Sequence, residues 1–240
     1  MYEINVHTLA LEVTRCCNMD PPCEICLRGH AQDMSLSSND LRTVLKQISH
    51  VNEVLFTGGE PTLNLQAIRK FIELAEIYHV EFDSFYIVTN GIENQKELAL
   101  LTLQMYQDAE AKEYCGIALS QDAWHNDKDQ HDLIKGLAYY KPDKEHKPGD
   151  DERWILKVGN AADNDIGHVN PFAPTEFEIE VYYKENGKEV DCVYVDLIYL
   201  SCNGYVYPDA NMSYRDMDAK KTVAAKDLAA YITNASKKPS

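Results

Sequence analysis

Strand-like and helix-like segments alternate through the first two thirds of the chain, and this restricts the fold more than any other feature. Residues 8–14 (TLALEVT) read as a strand. A helix is expected over Ser38–Ser49, where Leu41, Val44, Leu45 and Ile48 fall at i, i+3, i+4 and i+7. Ser38 or Asn39 can cap its start. Residues 53–57 (EVLFT) form a second strand that runs into Gly58-Gly59-Glu60-Pro61, and the next helix places Ile68, Phe71, Ile72 and Ala75 on one face. A third strand over 84–89 (SFYIVT) ends at Asn90-Gly91 and leads to a helix over 93–109. A fourth strand over 115–120 (CGIALS), a helix near 127–140 and a fifth strand over 153–158 (RWILKV) complete the series. Repeats of this kind imply a parallel sheet with right-handed crossovers.

The last third changes character. Phe177, Ile179 and Val181 alternate with Glu176, Glu178 and Glu180, the pattern of a strand with one wet face. Asn186-Gly187 and Asn203-Gly204 are hairpin signals. The expectation is an α/β fold: a barrel or partial barrel of parallel strands, finishing in antiparallel strands over about 176–210. A helix over about 220–233 and a frayed tail over 234–240 follow. Residues 1–233 are read as one domain, with a core over about 8–160. Residues 141–152 precede a strand and so fall on the N-terminal face, as a solvated loop. Residues 159–175 follow a strand and fall on the C-terminal face, where barrel sites are built, as a lid or substrate contact.

Charge narrows the function. With 23 basic and 39 acidic side chains, the net charge of −16 opposes a sequence-independent grip on DNA or RNA, which needs clustered Lys and Arg. No apolar run approaches the ~20 residues that span a bilayer, and Met1–His7 lacks the flank of a signal peptide. A cytoplasmic protein without a membrane partner is the default. A chain of 240 residues buries a core without disulfides.

Seven cysteines are unevenly placed. Cys16, Cys17, Cys23 and Cys26 crowd into one loop, while Cys115, Cys192 and Cys202 are scattered and read as small hydrophobes. In a reducing compartment such a cluster points to a metal site. Three cysteines can hold a four-iron cluster and leave one iron open for a ligand. Cys17, Cys23, Cys26 and His30 could alternatively close a structural zinc site. In Gly58-Gly59-Glu60-Pro61 the glycines admit close backbone approach to a ligand, and the carboxylate can pair an ammonium.

The strand leading to Cys17-Asn18, the Cys23-x-x-Cys26 pair and the Gly-Gly-Glu-Pro on the next strand resemble the radical S-adenosylmethionine (SAM) superfamily over roughly residues 8–160. The resemblance implies a partial (β/α)6 TIM-like barrel with a C-terminal helix, a [4Fe–4S] cluster, SAM bound at its open iron, and a low-potential electron donor such as a ferredoxin or flavodoxin. Reductive cleavage of SAM then yields a 5′-deoxyadenosyl radical that abstracts hydrogen from a substrate, a peptide or a small molecule or nucleotide. By resemblance, Cys17, Cys23 and Cys26 are the cluster ligands and Ile25 lies against the adenine. Gly58, Gly59 and Glu60 hold the methionine amino group, and Asn90 borders the cofactor. Ser120 and Asp122 face the ribose or carboxylate, and Gly159, with Ala161, ends a strand near the adenine. The spacing here is Cys-x5-Cys-x2-Cys instead of the usual Cys-x3-Cys-x2-Cys, so Cys16 competes with Cys17. The Asn after Cys17 favours Cys17. A non-catalytic iron–sulfur or zinc protein on the same scaffold is the alternative from a different functional class.

Overall fold

The computed structural model describes residues 3–120, 125, 132–142, 155–171 and 173–236. Its spine is β1 (Glu3–Thr14), buried along nearly its whole length. Three crossover units follow: α1 (Ser38–Leu45) to β2 (His50–Gly58), α2 (Leu65–Tyr78) to β3 (Glu81–Thr89), and α3 (Gln95–Asp108) to β4 (Gly116–Leu119). Two short helices come next, α4 (Asp132–Lys135) and α5 (Asn160–Asp163). The chain ends in β5 (Ile179–Tyr183), β6 (Val190–Leu200), β7 (Tyr205–Tyr207), α6 (Tyr214–Lys220), β8 (Val223–Ala224) and α7 (Leu228–Ala235). The strands form one open sheet in the order β4-β3-β2-β1-β6-β7-β8, with β5 paired to β6.

Period-two alternation along β1 assigns its two faces. Leu9, Leu11 and Val13 enter the main core with Leu41, Ile68 and Phe71 of the helices. Ala10 points the other way and joins Tyr199, Tyr207, Met212 and Met217 in a second, smaller cluster. Glu12 and Thr14 share this second face by register. The helix-side core is tied by edge-on contacts of Phe71 with Phe56 and Phe82, at 5.5 and 5.8 Å between centroids.

The four parallel strands β1–β4 are those expected, but β1 begins at Glu3 and not near Thr8. Residues 3–7 gain partners on both sides, Asn5 opposite His50 of β2 and Glu3 opposite Cys192 of β6. α1 stops at Leu45, before the expected Ser49. Gln47 turns its amide to the Ala225 carbonyl, and Ile48 sinks into the core ahead of β2. The described part of the expected fifth strand, residues 155–158, makes a single bridge from Leu156 to His168 and no strand.

The place beside β1 is taken by β6, which runs parallel to it from Glu3↔Cys192 to Leu11↔Leu200. The chain end is therefore only partly antiparallel. β5, β7 and β8 are antiparallel, but β6 crosses over to cover the free edge of β1. Both expected hairpins form, and Asn186 and Asn203 each accept backbone N–H bonds within their turn. The single helix expected over about 220–233 is divided. Lys221 adopts a left-handed conformation that ends α6, Val223–Ala224 pairs with β7, and α7 restarts at Leu228. Of the 141–152 loop, only residues 141 and 142 are described. No helix among the described residues is long and apolar enough to cross a membrane.

Candidate active site

The site lies on the second face of the sheet, beyond the C-terminal ends of β1, β2 and β3. Backbone pairing brings its parts together. The N–H of Gly59 donates to the Thr14 carbonyl and that of Glu60 to the Cys16 carbonyl, each at 2.8 Å. This continues the β1–β2 pairing into the cysteine loop. The approach requires glycine. A Cβ on Gly58, at φ 138°, would sit 2.1 Å from the Thr14 oxygen, and one on Gly59 would sit 2.0 Å from the Cys16 oxygen.

A cavity of about 310 Å³ opens there. Cys17, Cys23, Ile25 and Cys26 line it from the loop, and Gly58, Gly59 and Glu60 from the end of β2. Asn90 and Ser120 come from the ends of β3 and β4, and Leu55 and Val88 form an apolar floor. Cys16 turns away, with its thiol 3.9 Å from Asp33. Cys23 Sγ lies 3.5 Å from Nε2 of His125, which also lines the cavity. Asp122 lies outside the described residues.

Gly159 is placed differently from the expectation. It stands behind the cysteine loop, and a Cβ there would meet the backbone oxygens of Leu27 and Cys26 at 2.4 and 2.6 Å. The following residues grip the loop. The Asn160 N–H donates to the Cys26 carbonyl at 2.9 Å, and its side-chain amide to the Cys23 carbonyl at 3.0 Å. Asn164 donates to the Glu24 carbonyl at 3.0 Å. The segment read as a lid is thus, over 159–164, a buttress for the cysteine loop, and Ala161 is buried within it.

Burial pushes the thiols of Cys17 and Cys26 up from their ordinary range. Backbone N–H groups oppose this, from Met19 at Cys17 and from Arg28 and Gly29 at Cys26. Desolvated thiols beside N–H donors suit a positively charged metal centre, which stabilises the thiolate form. Among the described residues no three His, Cys, Asp or Glu side chains converge on one metal-ion position. His30 lines a neighbouring cleft with Gly159 and not the cavity. His30 thus stands apart from the cavity that the three cysteines line. Separate thiols around one cavity match a four-iron cluster, whose ligands bind different irons.

Glu60 is buried and its carboxylate is nearly saturated. Oε1 accepts from the Thr62 N–H at 3.0 Å, the Thr62 hydroxyl at 2.8 Å and the Thr89 hydroxyl at 2.6 Å. Among the described residues, Oε2 accepts only the Asn90 N–H, at 2.8 Å. Four donors fix the carboxylate in one orientation, with capacity left on Oε2. Asn90 also works as a staple. Its amide donates to Asn18 of the cysteine loop at 2.7 Å, and its oxygen accepts the Ile92 N–H.

The sequence reading missed a buried polar network along the opposite wall. Arg15 and Glu12 are both fully buried and pair at 2.6 Å. Arg15 also donates to Gln32, Asp218 and Ser201, and Tyr199 donates to Glu12 at 2.9 Å. Burial works against the Arg15 charge, but the hydrogen bond to Asp218 and the charges of Glu12 and Asp218 outweigh it and hold it protonated. Arg28 is buried with its guanidinium 4.7 Å from the Tyr199 ring centre, and Arg15 lies 4.5 Å from that of Tyr214. The one signal in the sequence was Glu12, an acid between the apolar Leu11 and Val13.

The model of the Radical SAM superfamily matches residues 11–158, more than half of the chain. The chain belongs to the radical SAM superfamily, whose enzymes use a [4Fe–4S] cluster and SAM. A search of curated proteins gave no match. Among solved structures it is similar to a histidine-tagged form of anSMEcpe with bound AdoMet, with a TM-score of 0.55 and 14% identity over 95% of this chain and 79% of that one. It is also similar to native anSMEcpe with bound AdoMet and Cp18Cys peptide, with a TM-score of 0.54 and 13% identity over the same shares. At this identity the likeness shows a shared fold.

Proposed function

We propose that this chain is a radical SAM enzyme that takes hydrogen from a peptide, small-molecule or nucleotide substrate. Cys17, Cys23 and Cys26 hold the cluster, and the cavity beside them holds SAM and substrate. The observation that carries this reading is the meeting of three thiols, Gly58-Gly59-Glu60, Asn90 and Ser120 around one cavity. Those residues come from four separate stretches of sequence and converge beyond the ends of parallel strands, where such folds build their sites.

Held by these cysteines, a [4Fe–4S] cluster would supply the one-electron reduction of SAM through which such enzymes take hydrogen from a substrate. The protein's part is binding, orientation and exclusion of water. Cys17 is taken as the first ligand, a choice supported by its place on the cavity wall while the Cys16 thiol lies near Asp33. Glu60 receives the methionine ammonium on Oε2, the less occupied oxygen. Ile25, Leu55 and Val88 offer apolar surface to the adenine and exclude water. Ser120 supplies a polar contact at the β4 end. Gly159 and Asn160 hold the cysteine loop in place. The electron comes from a low-potential donor such as a ferredoxin or flavodoxin, in the cytoplasm.

The test is anaerobic reconstitution with iron and sulfide, followed by SAM and a strong reductant. Formation of 5′-deoxyadenosine by the wild type, and its loss in the Cys17→Ala, Cys23→Ala, Cys26→Ala variant, is the expected result. A four-iron electron paramagnetic resonance signal that changes on SAM addition gives an independent readout. Tightly held zinc and no iron cluster would overturn the reading.

A further inference from the structure

The cavity has two unlike ends. At the β2–β3 end, Glu60 presents a carboxylate. At the β1–β6 end, Arg28 and Tyr214 line both this cavity and the adjoining cleft that holds His30 and Ser213. Arg28 is 7% exposed, yet it makes no ion pair with a carboxylate among the described residues. Its one side-chain hydrogen bond among the described residues is from Nη1 to the Met212 carbonyl at 2.8 Å, and its face rests on Tyr199. A guanidinium has five donors, so most are unused. Arg15, its neighbour in the wall, differs in being neutralised by Glu12 and Asp218.

Beside Arg28 stands a second unmet group. Tyr214 is 2% exposed and its hydroxyl has no hydrogen-bond partner among the described residues. Its backbone N–H donates to the Arg28 carbonyl at 3.0 Å, which keeps the two residues adjacent. Leaving a buried hydroxyl unpaired is costly, and a guanidinium that borders a cavity with donors to spare binds an anionic oxygen group well. Two such groups side by side at a cavity wall share one remedy, an acceptor carrying negative charge.

We propose that Arg28 and Tyr214 form an anion subsite that anchors a carboxylate or phosphate group of the substrate. This rests on the function proposed above for the cavity and narrows its substrate to one bearing an anionic oxygen group. The subsite belongs to substrate and not to the SAM carboxylate. It faces Tyr199, Met212 and Ser213 of the chain end, whereas the methionine binds at the Gly58–Glu60 end. Tyr214 donates its proton to the anion, and the planar Arg28 fork orients it.

The experiment uses reconstituted protein saturated with SAM and titrated calorimetrically with inorganic phosphate and with acetate. Saturable binding of at least one probe is expected, weakened about tenfold in Arg28→Gln and about threefold in Tyr214→Phe, with SAM affinity unchanged within about twofold. Arg28→Lys, which keeps the charge but not the fork, should fall between. Equal probe binding by wild type and Arg28→Gln would overturn the proposal, as would no saturable binding. So would a matched loss of SAM affinity in Arg28→Gln with wild-type preference for SAM over decarboxylated SAM, which would assign the guanidinium to the cofactor. If Arg28→Gln fails to fold, Arg28→Lys and the nearly isosteric Tyr214→Phe carry the comparison. A wild type that binds phosphate without SAM but never binds SAM would remove the radical SAM reading of the cavity and leave the anion subsite standing.

Discussion

Glu12 and Arg15 meet at 2.6 Å with both side chains fully buried, at the point where β1 hands the chain to the cysteine loop. The pair joins that loop to β6 through Tyr199 and Ser201, and to α6 through Asp218. Arg15→Met leaves the Glu12 charge buried without its cation, and a loss of about 3–5 kcal/mol is expected. Asp218→Asn should cost less than ~1 kcal/mol, because Asp218 is 40% exposed and screened by solvent. Urea denaturation of the two variants checks the order, and a larger loss for Asp218→Asn would contradict it.

Glu60→Gln should separate the cofactor from the scaffold. The amide cannot accept from all four donors that now converge on the carboxylate, so a stability loss of about 1–3 kcal/mol is expected. SAM affinity should fall about tenfold or more, since the ammonium loses its counter-charge. Thr89→Val removes one donor and keeps the charge, so it should lower stability with little effect on SAM. Equal SAM affinity in wild type and Glu60→Gln would remove the ammonium role.

Gly59→Ala is expected to prevent cluster assembly. Its Cβ would fall 2.0 Å from the Cys16 oxygen, so the Glu60 N–H to Cys16 bond must break and the loop must move. Iron per chain after reconstitution is the measurement. Full iron loading would mean that the loop tolerates the shift.

Alkaline pH should destabilise the protein through its buried tyrosines. Burial pushes Tyr207 up to about 12 and raises Tyr199 and Tyr214 as well. Above about pH 10 the unfolded chain releases these protons while the folded chain keeps them. The unfolded state then binds fewer protons, so stability is full below about pH 10 and falls as pH rises toward 12 and beyond. Tyrosinate absorbance should rise in two stages. Exposed rings titrate first, and the buried ones appear only together with loss of circular dichroism. A single transition near pH 10 with the fold intact would contradict this.

Tyr214→Phe should raise the stability of the cofactor-free protein by about 1 kcal/mol, because it removes a buried hydroxyl that has no partner among the described residues. Tyr199→Phe should lower it by a similar amount, since that hydroxyl donates to Glu12. Thermal melts of the pair suffice, and a destabilised Tyr214→Phe would show that the hydroxyl is satisfied in solution.

That Cys17, Cys23, Cys26 and Gly58–Glu60 lie around one cavity was legible because each group is closely spaced in the sequence and follows the end of a parallel strand. The first four parallel strands were legible because apolar periodicity is local. Gly159 was assigned to the cavity on a weak small-residue pattern, and contact with the backbone of Cys26 and Leu27 requires a small residue just as well. Arg28 and Tyr214 carried no local signal, since an arginine two residues after a cysteine and a tyrosine near a chain end have many uses.

The strand–helix alternation, the cysteine loop and the glycine turn were settled by sequence, because each depends on neighbours within a few residues. The parallel alignment of β6 with β1 came from the folded sheet, since its register from Cys192 to Leu200 is set by residues far away in the chain. So did the pairing of Glu12 with Arg15, while Arg28 keeps no carboxylate partner among the described residues. Whether a buried charge is neutralised depends on which distant groups arrive beside it, and only the assembled sheet brings Asp218 and Ser201 to the one arginine and Tyr214 to the other.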